Sequence, residues 1–125
     1  MYTKTLLLAL FAAATASAAA IDSRQANKAA ADFGTCTPTI DFQLGRPGRK
    51  ATEGTFLPTD PVVAKGQQDA LNPNIITNRV CDQLGNVCGA NDAAKALCLS
   101  AKAQVATLGT KDATTADAFN KALGF

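Results

Sequence analysis

The chain has 125 residues, a formal net charge of +2, 47% hydrophobic residues and 18% charged ones. That is room for one small domain, too apolar for a wholly disordered chain and too nearly neutral for one built around an acidic or basic surface. There is no His and no Trp, while Met1, Tyr2 and Glu53 are the sole residues of their types. These gaps remove the commonest general base, the commonest metal ligand and the best stacking platforms, and they argue against most enzyme classes.

Residues 1–20 place Lys4 ahead of an apolar run from Leu6 to Ala14, followed by small residues at Ala16, Ser17, Ala18, Ala19 and Ala20. A short basic lead, a short apolar core and small residues at the cleavage position make a secretory signal peptide. The run is shorter than the ~20 strongly apolar residues of a spanning helix, so stable membrane insertion is not expected. Cleavage is expected after Ala18, with Ala20 the alternative, leaving residues 19–125 as a single secreted domain. That domain has 11 basic and 10 acidic residues, and its aromatics are Phe33, Phe42, Phe56, Phe119 and Phe125. A balance this close to neutral gives no basis for nucleic-acid binding.

Asp22 to Phe33 reads as a short, weakly amphipathic helix: Asp22 or Ser23 caps it, Ala26, Ala29, Ala30 and Phe33 share a face, and Gly34 ends it. Residues 35–66 break every period with Gly, Pro, Thr and charge. Only Ile40, Phe42 and Leu44, alternating with Asp41 and Gln43, have the pattern of one short strand. A structureless stretch of that length is unusual inside a compact domain, so the segment is expected to lie over the helices, anchored by Phe56-Leu57 and Val62-Val63.

The helical core spans residues 72–124. Asn72-Pro73 opens a helix that Gly85 closes, with Ile76, Val80 and Leu84 repeating every four residues and Ile75 and Cys81 alongside. Asn91 or Asp92 caps the next helix, where Ala94, Leu97, Cys98, Ala101, Val105 and Leu108 form one face before Gly109. Thr114-x-x-Asp117 resembles a capping box for a last helix carrying Phe119, Ala122 and Leu123. Helices joined by loops this short pack as antiparallel neighbours. The fold class is therefore mainly α: about four helices, a long irregular loop and one short strand.

Cys36, Cys81, Cys88 and Cys98 all follow the leader. An even number in a short exported chain implies two disulfides, and neither metal-ligand spacing nor a His partner for a catalytic thiol exists. Cys81 and Cys98 lie at similar distances from the midpoint of the loop between their helices, so they can face one another across the hairpin. That pairing leaves Cys36 with Cys88. The rival, Cys36 with Cys98 and Cys81 with Cys88, needs the chain to turn back at Gly85.

Candidate chemistry is thin. Glu53 with Asp60 or Asp41 has the residue types of a glycosidase pair but no aromatic platform nearby, and loop charges are the plainer reading. Arg46, Arg49 and Lys50 form a basic turn, better read as hydrated than as an anion site, and Arg49-Lys50 is a candidate processing site. Asn86-Val87-Cys88 has the form of a rare glycosylation acceptor, but a disulfide at Cys88 makes it a chance match. Threonines 35, 37, 39, 52, 55 and 59 are candidate O-glycan carriers. No catalytic residue, metal or cofactor is expected.

The alanine-rich leader, a mature chain near a hundred residues, four cysteines and the stretch Asn72 to Cys88 resemble the small secreted proteins of filamentous fungi. The resemblance implies a protein that acts by binding: an effector or virulence-associated factor, or alternatively a structural component of the wall or extracellular matrix. A toxin or antimicrobial is a further alternative that the low charge disfavours. The partner is then a protein or a cell surface. Residues 40–66 are the expected binding loop, with Arg46, Arg49, Lys50 and Phe56 as its candidate contacts, since exposed loops on a stapled scaffold commonly carry recognition.

Overall fold

The computed structural model describes residues 30–125. The leader and most of the expected helix 22–33 lie outside the described residues. Ala30 is helical, but Ala31 to Phe33 are not, so the helix does not run to Gly34. The reason is competition for backbone groups. The Asp32 N–H donates to Asn91 Oδ1 (3.0 Å) and the Asp32 carbonyl accepts from Asn91 N (2.9 Å), so both groups are taken up by the loop opposite.

The described chain runs β1 (Ile40–Leu44), β2 (Gly54–Pro58), α1 (Pro61–Ala64), α2 (Pro73–Asn86), α3 (Asp92–Leu108) and α4 (Ala113–Leu123). This is a small, disulfide-stabilised, mainly α domain. The irregular segment is more ordered than its composition predicts. Where one strand is expected there is an antiparallel hairpin, with Ile40 opposite Pro58 and Phe42 opposite Phe56, followed by a one-turn helix. The second strand escapes sequence reading because Thr55 and Phe56 are both fully buried, so the alternation that marks a half-exposed strand is missing.

Each long helix begins where a side chain supplies an acceptor to the orphaned backbone N–H groups. Asn72 accepts from Asn74 N (2.9 Å) with Pro73 at the first turn, and Asn91 accepts from Ala94 N (2.9 Å). The cap of α4 is Asp112, not Thr114. Its carboxylate accepts from Thr114 N (2.9 Å), and the Thr115 hydroxyl accepts from the Asp112 N–H (3.2 Å), completing a capping box that starts at Asp112 rather than Thr114. Gly109 and Gly124 close α3 and α4 in the left-handed conformation.

The core sits where α2, α3 and α4 meet the inner face of the hairpin. Ile76, Val80, Leu84, Cys98, Ala101, Phe119, Ile40, Phe56 and Val63 are almost completely buried, and Val105 and Leu123 nearly so. The expected faces of α2 and α3 hold at their centres and fail at their ends: Ile75 and Leu108 are about half exposed. Two disulfides bind this core, Cys36–Cys88 and Cys81–Cys98. Cys81 and Cys98 join α2 to α3. Cys36–Cys88 ties the N-terminal segment to the α2–α3 loop, beside a Thr35 N–H that donates to the Cys88 carbonyl (2.9 Å).

Besides this packing, one side chain hydrogen-bonds the hairpin to the helix bundle among the described residues. Asn120 of α4 accepts from the Ile40 N–H and donates to the Ile40 carbonyl, both at 2.9 Å. It thereby imitates one residue of a neighbouring strand along the outer edge of β1. The opposite edge of the hairpin is covered by Ala70, which exchanges two backbone hydrogen bonds with Phe56 (2.8 and 3.0 Å).

Candidate binding site on the outer face of the hairpin

The loop from Gly45 to Glu53 is folded by its own turns. Gly45 N donates to Glu53 O (3.0 Å), Arg49 N to Arg46 O (2.8 Å) and Glu53 N to Lys50 O (3.0 Å). Gly45 and Gly48 adopt positive φ of 66° and 83°, a conformation that only glycine takes at no steric cost. This compact turn returns its charged side chains to the hairpin. Arg46 folds back onto Asp41, whose carboxylate also accepts from the Gln43 amide (2.7 Å). The Arg49 guanidinium donates to both the side chain and the carbonyl of Asp69, each at 3.0 Å, and lies 3.9 Å from Glu53.

The three basic residues of the turn thus stand among three carboxylates, Asp41, Glu53 and Asp69. The turn carries no unbalanced positive charge. Lys50 is exposed and joins no ion pair among the described residues. Asp69 titrates below the ordinary aspartate value, chiefly because the Thr55 hydroxyl beside it favours the charged form and then because of Arg49. That hydroxyl nevertheless makes no hydrogen bond of ordinary geometry among the described residues, although Thr55 is fully buried.

Phe56, expected in the exposed binding loop, is instead completely buried. It packs against Phe42 with ring centroids 5.0 Å apart and belongs to the core. Its neighbours explain this: Ala70 covers one edge of β2 and α2 lies on its inner face. Phe56 is therefore removed from the candidate contacts. Of the three basic residues only Lys50 is exposed; Arg49 is part-buried, and the Arg46 side chain is only 11% exposed.

The carboxylates first weighed as a catalytic pair are each engaged elsewhere. Asp41 holds Arg46, and Glu53 lies beside Arg49. Asp60 caps α1, accepting from Val62 N and from Thr37 N at 2.8 Å each. Asn86 lies exposed at the end of α2, and Cys88 of the same tripeptide is oxidised. Among the described residues no cluster of His, Cys, Asp or Glu could hold a metal, and no helix is long and apolar enough to cross a membrane.

What the turn and the segment after α1 do enclose is an open groove of about 460 Å3. Gln43 and Leu44 to Pro47 form one wall, Gln67 to Asp69 the other, and Leu57 contributes between them. Arg46 lines it, and beneath the surface its Nε–H has no hydrogen-bond partner among the described residues, an unusual state for so strong a donor. The groove thus combines glutamine amides and a guanidinium with apolar Leu44 and Leu57, a mixture suited to an extended polar chain. Of its walls, sequence reading found Arg46 through the basic turn. Gln67, Gln68 and Asp69 carry no pattern that would mark them, since they join the site only through the turn after α1 and the Arg49–Asp69 contact.

No protein-family model matches the chain, and neither the curated proteins nor the solved structures include a significant match to it.

Proposed function

We propose that the protein is a secreted, non-enzymatic binding protein of the effector or virulence-associated kind, with the hairpin groove as its contact surface. The observation that carries this reading is the groove itself. It lies on a turn fixed by the Arg46–Asp41 and Arg49–Asp69 contacts, on a domain locked by two disulfides. A recognition surface fixed in advance loses little conformational entropy on binding, which favours affinity from a small area.

Two further features support it. The disulfides are compatible with an extracellular location, where such bonds persist. A chain without His or Trp also lacks the residues most used for acid–base chemistry and for sugar stacking. The resemblance of the leader and of residues 72–88 to small secreted fungal proteins supports a partner on a host or competitor.

The test is the abundance of the mature protein in the producer's wall fraction, in free culture fluid and in colonised host tissue. Accumulation during host contact, free of the wall, is the expected result. Constant abundance locked in the wall would replace this reading with a structural role.

A further inference from the structure

We propose that the free edge of β1 pairs with the same edge of a second copy of this chain, forming a symmetric four-stranded sheet. Ile40 N–H and C=O point away from β2, because both bond Asn120. Groups alternate along an antiparallel strand, so those of Phe42 and Leu44 point the same way, while Asp41 and Gln43 face β2.

No hydrogen bond reaches the N–H or C=O of Phe42 or Leu44 among the described residues. Two other positions along the edges of the hairpin are covered. Asn120 occupies Ile40, and Ala70 occupies the outer edge of β2. The stretch Phe42 to Leu44 contains no Lys or Pro, the residues that usually blunt an open edge.

This short edge is complementary to itself about Gln43. Antiparallel pairing with the two-fold axis at Gln43 sets Phe42 opposite Leu44 of the partner and Leu44 opposite its Phe42. Four N–H···O=C bonds then satisfy every free group on both strands. The pairing ends where each chain ends it: at Ile40, already bonded to Asn120, and past Gly45, where the strand turns at φ 66°. Leu44, 61% exposed, gains an aromatic cross-strand neighbour on the inner face. On the outer face the residue meeting its own copy is neutral Gln43, so no like charges oppose one another. An interface of this size lies far below the ~1,200 Å2 of stable complexes. Association is therefore reversible, with a dissociation constant of about 10 μM to 1 mM.

This inference does not rest on the effector reading, although Gln43 and Leu44 also line the groove. Its test uses oxidised mature protein in sedimentation equilibrium, with amide exchange read at Phe42 and Leu44. The expected results are a monomer–dimer equilibrium and exchange at both amides that slows as concentration rises. Leu44→Pro removes an outward N–H that the internal ladder does not use, and should weaken the dimer at least about tenfold while the monomer stays folded. Gln43→Glu and Gln43→Lys should each be monomeric alone and form a one-to-one heterodimer when mixed. A monomer at about 1 mM overturns the proposal. So does a dimer that persists unchanged in Leu44→Pro and in both Gln43 variants. Protection of both amides at every concentration would also overturn it, since it would mean that this chain covers its own edge.

Discussion

Replacing Asn120 tests how the hairpin is held to the helices. Its carboxamide makes two 2.9 Å hydrogen bonds to the two backbone groups of Ile40, a residue only 1% exposed. In Asn120→Ala both partners survive without a bond in a site nearly closed to water. A buried backbone group left unpaired costs about 1–3 kcal/mol, so the pair should cost roughly 2–4 kcal/mol once partial access to water is allowed. For a domain of this length each kcal/mol moves the melting temperature by about 4–8 °C, which predicts a fall of roughly 8–30 °C.

Asn120→Asp adds a signature that simple loss of packing would not give. The carboxylate keeps the bond from Ile40 N–H but faces the Ile40 carbonyl with negative charge, whereas the protonated acid can donate to it. Its folded pKa is therefore raised above the unfolded value, so the contribution is present at low pH and is lost as pH rises through the folded pKa. Thermal melts of the Asp variant between pH 3.5 and 7, ~the range over which a raised aspartate titrates, should show it gaining on the wild type as pH falls. An Asn120→Ala variant within about 0.5 kcal/mol of wild type, or an Asp variant insensitive to acid, would refute the edge-cap assignment.

Three further outcomes follow from the same geometry. Removing Cys36–Cys88, with a sequence separation of 52, should cost about 4 kcal/mol in the chain-entropy model, and removing Cys81–Cys98, with a separation of 17, about 3 kcal/mol; paired Cys→Ser variants compared by denaturant unfolding check the order. Gly34→Ala should be destabilising. Gly34 has φ of 69° and an added Cβ would lie 1.8 Å from the Cys88 carbonyl oxygen, so the loop must shift at a cost of about 2 kcal/mol or more, read as a lower melting temperature. Asp69 titrates below its ordinary value in the folded state, so its support for the turn is complete above that value and is lost as pH falls below about 4; NMR shifts of the Arg49 side chain should move in that acid range, and Asp69→Asn should reduce the movement, with the Glu53 carboxylate 3.9 Å away supplying what remains.

The helical half was legible because its signals are local. Asn72-Pro73, Asn91 and Gly109 mark ends, and Ile76, Val80 and Leu84 mark a face within one window. The disulfide pairing was legible for the same reason, since two helices and a short loop put Cys81 opposite Cys98. The hairpin was half legible. β1 alternates, but β2 is buried on both faces, so Phe56 looked like an isolated anchor in a loop when it is core. The ion pairs of the turn span 5 residues for Asp41 and Arg46 and 20 for Arg49 and Asp69. Nothing in a linear sequence selects those partners, so a turn that reads as basic is locally balanced. Asn120 bonds a residue 80 positions away and sits beside Phe119 in an otherwise ordinary helix. Polar edge caps of this kind become visible only when the strand they cover has been placed.

The central claim, that this is an exported domain stapled by two disulfides, has one direct test. Intact mass spectrometry of the protein from the producer's culture fluid, alkylated without reduction, reads both the start of the chain and the state of its thiols. The expected result is a chain beginning after Ala18 or Ala20 with no alkylated cysteine. A chain retaining residues 1–18, found inside cells with four alkylated thiols at positions 36, 81, 88 and 98, would contradict it.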